Sequence, residues 1–149
     1  MSKSKGNVVS PDTFVDQYGS DVFRMYLMFM GPFTDGGDWS DTGIRGIVRF
    51  VDRFWKVFSL STKIDQSSDD TEGKTEDSKE VIAALHRTIK KVTKDIADFH
   101  FNTAINALME FLNLVEKQGC SANTAKTATL LLAPLAPHLA EELWSTLGG

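Results

Sequence analysis

Ser2-Lys3-Ser4-Lys5-Gly6-Asn7 places two cations, two hydroxyls and a glycine within six residues. Such a string suits phosphate. Lysine ammoniums neutralise phosphate oxygens as point charges, hydroxyls and main-chain N–H groups donate beside them, and a glycine lets the backbone come close. Were pyrophosphate the departing group, a lysine that tightens on it as charge develops would lower the barrier without touching the reacting carbon. The plain alternative is a frayed polar terminus, because short Ser/Lys/Gly strings are common and this is not the spacing of a Walker loop.

A second chemistry is charge matching. Arg87, Lys90, Lys91 and Lys94 recur at i, i+3, i+4 and i+7, and Arg45, Arg49 and Arg53 at i, i+4 and i+8. Either row can follow a phosphate backbone. Each is equally compatible with a solvated helix face on which Asp52, Asp95 and Asp98 make local pairs of little net energy. His86, beside the core face, His100, near a helix end, and His138 have no carboxylate or thiolate at a metal-ligand spacing, so they read as packing or capping residues and no metal is expected. Glu141 and Glu142 are sequence neighbours that point different ways on a helix, so they solvate or cap. Trp55, Trp144 and the phenylalanines sit at helical spacing with aliphatic residues and read as core.

The elements that carry these residues are helices. Ser10 as cap, Pro11 at the first position and Gly19 as terminus predict a short helix. Ser20-Asp21 opens a second, with Val22, Phe23, Tyr26, Leu27 and Met30 at helical spacing and Gly31-Pro32 ending it. Phe33 to Gly43 reads as a loop anchored by Trp39. Ile44, Ile47, Val48, Val51, Phe54, Trp55 and Phe58 form one apolar face of a third helix, whose first turn Gly43 and Gly46 weaken. Residues 61–78 carry almost no large apolar side chain and are expected to form a mobile acidic loop. Asp77 and Glu80 resemble a capping box opening a long helix that turns Val81, Ile82, Leu85, Ile89, Val92, Ile96 and Phe99 inward. Asn102 is the expected cap of the next, which buries Ala104, Ile105, Leu108, Met109, Leu112 and Val115 and ends at Gly119. From about Asn123, Pro134 and Pro137 break the remainder into two helices, the second with Leu139, Leu143 and Trp144. No alternating strand pattern of useful length occurs. The expected fold is an all-α helical bundle, which decides no function alone.

Composition sets the outer bounds. With 149 residues, 42% hydrophobic and 24% charged, the chain fits one globular core. One cysteine, Cys120, excludes a disulfide framework and points to a reducing, cytoplasmic setting. No signal peptide pattern is present, and the longest apolar run, Met25 to Met30, is far below the roughly 20 residues of a membrane span, so no membrane partner is expected. The net charge of −4 hides an uneven distribution: Ser61 to Glu80 holds seven acids against three lysines, a local net of −4, and the rest is balanced.

Met1-Ser2-Lys3-Ser4-Lys5-Gly6-Asn7-Val8-Val9 resembles the Lys-Met-Ser-Lys-Ser signature loop of class I aminoacyl-tRNA synthetases, without its leading lysine. Tyr18-Gly19-Ser20-Asp21 with Arg24, Met28-Phe29-Met30-Gly31-Pro32, Trp39-Ser40-Asp41-Thr42-Gly43, and Arg49-Phe50 up to Phe54-Trp55 resemble the region C-terminal to that loop in the leucyl-tRNA synthetase family. So do His86-Arg87-Thr88-Ile89-Lys90-Lys91-Val92-Thr93 and Phe101-Asn102-Thr103-Ala104-Ile105. Leu132-Ala133-Pro134-Leu135-Ala136-Pro137-His138-Leu139-Ala140-Glu141-Glu142-Leu143-Trp144 is similar to a helix-breaking segment shared by the Leu, Ile, Val and Met subgroup. The resemblance covers nearly everything except the acidic loop.

That resemblance implies a division at residue 19: residues 1–19 as signature loop and short helix at the edge of a catalytic domain, and 20–149 as a helical anticodon-binding domain that docks tRNA. It implies that Lys3 binds ATP and stabilises the transition state of leucine activation, with Met1, Ser2, Ser4 and Lys5 in supporting ATP-side roles. Arg45, Arg49, Arg53, Arg87, Lys90, Lys91 and Lys94 become candidate tRNA contacts. The implied partners are tRNA(Leu), leucine and ATP with Mg2+, the last three through a catalytic domain whose Rossmann motif this sequence does not contain. The chain therefore reads as a fragment, expected to be a monomer, to hold no cofactor by itself and to be inactive alone. The competing reading is a non-catalytic helical module that binds protein or RNA and keeps the loop as a relic.

Overall fold

The computed structural model describes residues 10–35, 37, 39, 40, 42–66 and 76–149, and among them are seven helices and no strand. The signature residues Met1, Ser2, Lys3, Ser4 and Lys5, and residues 67–75 of the expected acidic loop, lie outside the described residues. α1 (Pro11–Tyr18) and α2 (Ser20–Phe29) meet at Gly19, whose φ of 86° is left-handed backbone that glycine adopts without penalty. Pro11 sits at the start of α1 as expected, but the Ser10 side chain makes no cap: its hydroxyl lies 3.4 Å from Asp12 Oδ2.

α3 (Ile44–Gln66) supplies the core's spine. Ile44, Ile47, Phe50, Phe54 and Phe58 are fully or almost fully buried, while Val48, Val51 and Trp55 are only half-buried. The buried row thus includes Phe50, one position from the expected Val51. The helix also runs to Gln66, into the segment expected to be loop from residue 61.

α4 (Lys79–Ala97) and α5 (Phe101–Gln118) form the principal helix pair, packed along each other. α3 leans on α5, α6 (Ala122–Leu132) and α7 (Pro137–Thr146). α4 buries Val81, Ala84, Leu85, Thr88, Val92 and Asp95, whereas Ile82 is 44% and Phe99 56% exposed, against the expectation that both face inward. Phe99 falls after the helix, with φ 60°, in the tight turn into α5. That turn also moves the α5 cap: His100 occupies it and Asn102 is already helical. In α5, Met109 is half-buried, and Phe111 and Ala107 join the core instead. The break at Pro134 and Pro137 stands as expected, with Pro137 opening α7.

The capping box at residues 77–80 is replaced by a different arrangement. Ser78 is the cap of α4 and accepts from the Val81 N–H at 3.1 Å. Asp77 reaches across to the start of α6, accepting from the Ser121 N–H at 2.6 Å, the Ser121 hydroxyl at 2.8 Å and the Thr124 hydroxyl at 2.6 Å. A second carboxylate does the same for α7: buried Asp21 accepts from the Leu139 N–H at 2.7 Å and lies 2.8 Å from His138 Nδ1. Both put negative charge on a helix N-terminus, where the peptide dipoles favour it.

Candidate nucleic-acid interface

α4 turns one face to α5 and leaves the rest of its surface to solvent, because its apolar residues recur at three and four and the cations flank them. Arg87, Lys90, Lys91 and Lys94 are accordingly all exposed on one helix. Two of the four are locally committed. Lys91 pairs with Asp95 and Lys94 with Asp98, each at i, i+4. Arg87 and Lys90 have no ion pair among the described residues.

Asp95 is the unusual member of this group, a carboxylate whose side chain is 5% exposed. Burial pushes its pKa up, yet the hydrogen bonds from Lys91 and from the Thr103 hydroxyl at 2.6 Å outweigh that, and the net lies below the ordinary aspartate value. Asp95 thereby joins α4 to α5 and holds the Lys91 ammonium toward the helix pair. At the exposed pair, the hydrogen bond between Lys94 and Asp98 raises the amine and lowers the carboxyl.

The second row divides. Arg45 and Arg49 are exposed on α3, the Arg49 Nε lying 3.4 Å from the Arg45 carbonyl. Arg53 instead reaches α5, where Nε donates to Glu116 Oε1 at 2.8 Å and Nη2 to Glu116 Oε2 at 2.5 Å and Asn113 Oδ1 at 2.6 Å. This is a two-pronged guanidinium–carboxylate pair, which raises the arginine and lowers Glu116 below the usual carboxylate range. Arg53 therefore acts first as a clamp between α3 and α5. Asp52, expected to supply a local pair, has none among the described residues.

Of the other residues singled out by type, His86 is exposed on α4 rather than set beside the core. His100 occupies the N-cap position of α5 without a side-chain cap and His138 meets Asp21 at the head of α7, while Glu141 and Glu142 are exposed. Among the described residues no group of three or more His, Cys, Asp or Glu side chains could hold a metal ion, and no helix is long and apolar enough to cross a membrane. Sequence reasoning missed the bridging carboxylates Asp21 and Asp77, whose partners lie 117 and 44 residues away. It also missed a groove between α4 and α5 that exposes Asn106 and Glu110 next to Arg87.

An array of cations at helical spacing, some of them without an internal partner, can follow a polyanion. Comparison with known proteins gives that array a context. Residues 1–39 match the family of class I tRNA synthetases for I, L, M and V, and residues 78–149 match the anticodon-binding domain of tRNA ligases. A leucine–tRNA ligase of Dehalococcoides mccartyi is 46% identical over 99% of this chain, and one of Herpetosiphon aurantiacus is 47% identical over 99%. The chain spans 18% of the length of either relative. The crystal structure of a ternary complex of Agrobacterium radiobacter K84 agnB2 LeuRS with tRNA and LeuAMS superposes on the whole chain with a TM-score of 0.87 and 34% identity, and the chain covers 21% of that protein. Two matched segments in the order of a synthetase, relatives aligned along nearly every residue and a shared helical architecture converge on one assignment: the chain belongs to the leucine–tRNA ligase family of class I tRNA synthetases.

Proposed function

We propose that this chain serves as the signature-loop and tRNA-docking part of a leucine–tRNA ligase, which activates leucine with ATP and Mg2+ and transfers it to tRNA(Leu). The observation that carries the reading is the exposed cationic face of α4, set on the segment that matches the anticodon-binding domain of tRNA ligases. Residues 20–149 are the docking domain, and residues 1–19 border the catalytic body. Arg87 and Lys90, lacking internal ion pairs among the described residues, make the first phosphate contacts. Lys91, Lys94, Arg45 and Arg49 extend them, and Arg53 contributes through the packing of α3 on α5. Lys3 acts on the ATP side, with Met1, Ser2, Ser4 and Lys5 shaping its loop.

The cationic face needs nothing else to meet RNA, whereas Lys3 needs the ATP cleft of a catalytic domain. Binding and chemistry should therefore separate. Titration of the purified chain with labelled tRNA(Leu) at low salt is expected to give saturable binding, and absence of binding there would overturn the docking role. Leucine-dependent ATP–pyrophosphate exchange by the same chain is expected to be undetectable, and turnover near that of an intact synthetase would overturn the division of labour.

A further inference from the structure

The groove between α4 and α5 has a use that charge-following alone does not require. It is an open groove of about 540 Å³, the scale of a small-ligand site. Ala84, Ala107 and Phe111 make an apolar floor, Arg87 stands on the α4 side, and Asn106 and Glu110, one helical turn apart, stand on the α5 side. Arg87, Asn106 and Glu110 are exposed and make no side-chain hydrogen bond or ion pair among the described residues. The neighbouring polar groups are already engaged: the Thr88 hydroxyl donates to the Ala84 carbonyl at 2.9 Å, and Thr103 and Lys91 both hold Asp95.

An amide offers one donor edge and one acceptor edge, a carboxylate accepts from an exocyclic amine, and a guanidinium clasps a phosphate. Over a narrow apolar floor these three suit one nucleotide: a base lying on the floor, its edge read from α5 and its phosphate held from α4. An amphipathic peptide helix would want a broader apolar trough. The rim is continuous with the row of Lys90, Lys91 and Lys94, so a strand running along α4 passes the groove mouth. Unpaired RNA bases are recognised by such edge contacts, while duplex segments are held by their phosphates.

Resting on the tRNA-docking reading, we infer that the α4–α5 groove takes one unpaired nucleotide of the bound tRNA, with Asn106 and Glu110 reading its base and Arg87 its phosphate. The test is a tRNA(Leu) titration of the 149-residue chain across a salt series, with Asn106→Ala, Glu110→Ala and Arg87→Ala alongside. Alanine at these exposed helix positions is a better helix former than the residue it replaces, and a thermal melt by circular dichroism checks that each variant folds. Asn106→Ala is expected to weaken binding about 5- to 150-fold with an unchanged salt slope, because reading a base edge releases no counterion. Glu110→Ala weakens it in the same range. Arg87→Ala both weakens binding and lowers the magnitude of the slope by about 0.7–0.9. Asn106→Ala and Glu110→Ala chains that both bind within twofold of the wild type would overturn the groove while leaving the docking face intact. A wild-type chain that binds no tRNA would overturn both.

Discussion

At the scale of single residues, Asp77 does work that its sequence neighbours conceal. Asp77 stands three residues before Glu80, as in a capping box, but its oxygens are spent on Ser121 and Thr124 at the head of α6. Local spacing could not reveal partners 44 and 47 residues away. Asp77→Ala removes three hydrogen bonds and strands their donors, so it is expected to cost about 1–3 kcal/mol in urea unfolding. Asp95 makes a pH prediction. Its folded-state pKa lies below the unfolded one, so its stabilisation is present above the ordinary aspartate value and is lost as pH falls through the depressed one. Asp95→Asn should therefore flatten the acid limb of a stability–pH profile below about pH 4, and an unchanged limb would show the pair with Lys91 to be idle. Gly37 makes a steric one. A Cβ there would lie 2.6 Å from the Met30 Cβ and 2.7 Å from its carbonyl oxygen. Gly37→Ala is expected to destabilise by about 1–3 kcal/mol in thermal unfolding, because one side of the clash is backbone.

At the scale of elements, apolar periodicity and end signals together located the helices among the described residues, α1 resting on Ser10, Pro11 and Gly19 alone. Pro11, Gly19, Gly119 and Pro137 bound helices where their backbone preferences place them. What periodicity could not fix was phase and length. Val51 and Phe50 are adjacent, and tertiary packing put the larger side chain, Phe50, on the buried side. α3 continues to Gln66 although the sequence there is mostly polar, since a lack of large apolar side chains does not prevent a helix. Phe99 lies on the extrapolated stripe of α4, but the helix has ended and its ring lies tilted against Phe33 and edge-on to Phe101 at the surface. Neighbouring residues of α3 should separate core from clamp. Phe54→Ala, which deletes a fully buried ring touching Phe50 and Phe58, is expected to cost about 3–5 kcal/mol. Arg53→Ala breaks the pair with Glu116, but at 43% side-chain exposure that is worth about 1 kcal/mol or less. Equal losses in the two melting curves would mean that the α3–α5 contact is held by charge.

At the scale of the whole molecule, a net charge of −4 would argue against a nucleic-acid partner if charge were spread evenly. It is not: acids concentrate between Ser61 and Glu80, leaving α4 to present its cations outward on the segment matching an anticodon-binding domain. That distribution was legible in the sequence. The groove beside it was not, because it arises from the packing of two helices and not from the spacing within either. The most direct test of the account is a salt-dependent tRNA(Leu) titration comparing the chain with its Arg87→Glu, Lys90→Glu, Lys91→Glu triple variant. The expected result is weaker binding by the variant and a flatter dependence of log Kd on log salt, by about 0.7–0.9 for each phosphate no longer neutralised. A variant that matches the parent chain in both affinity and slope would contradict the account.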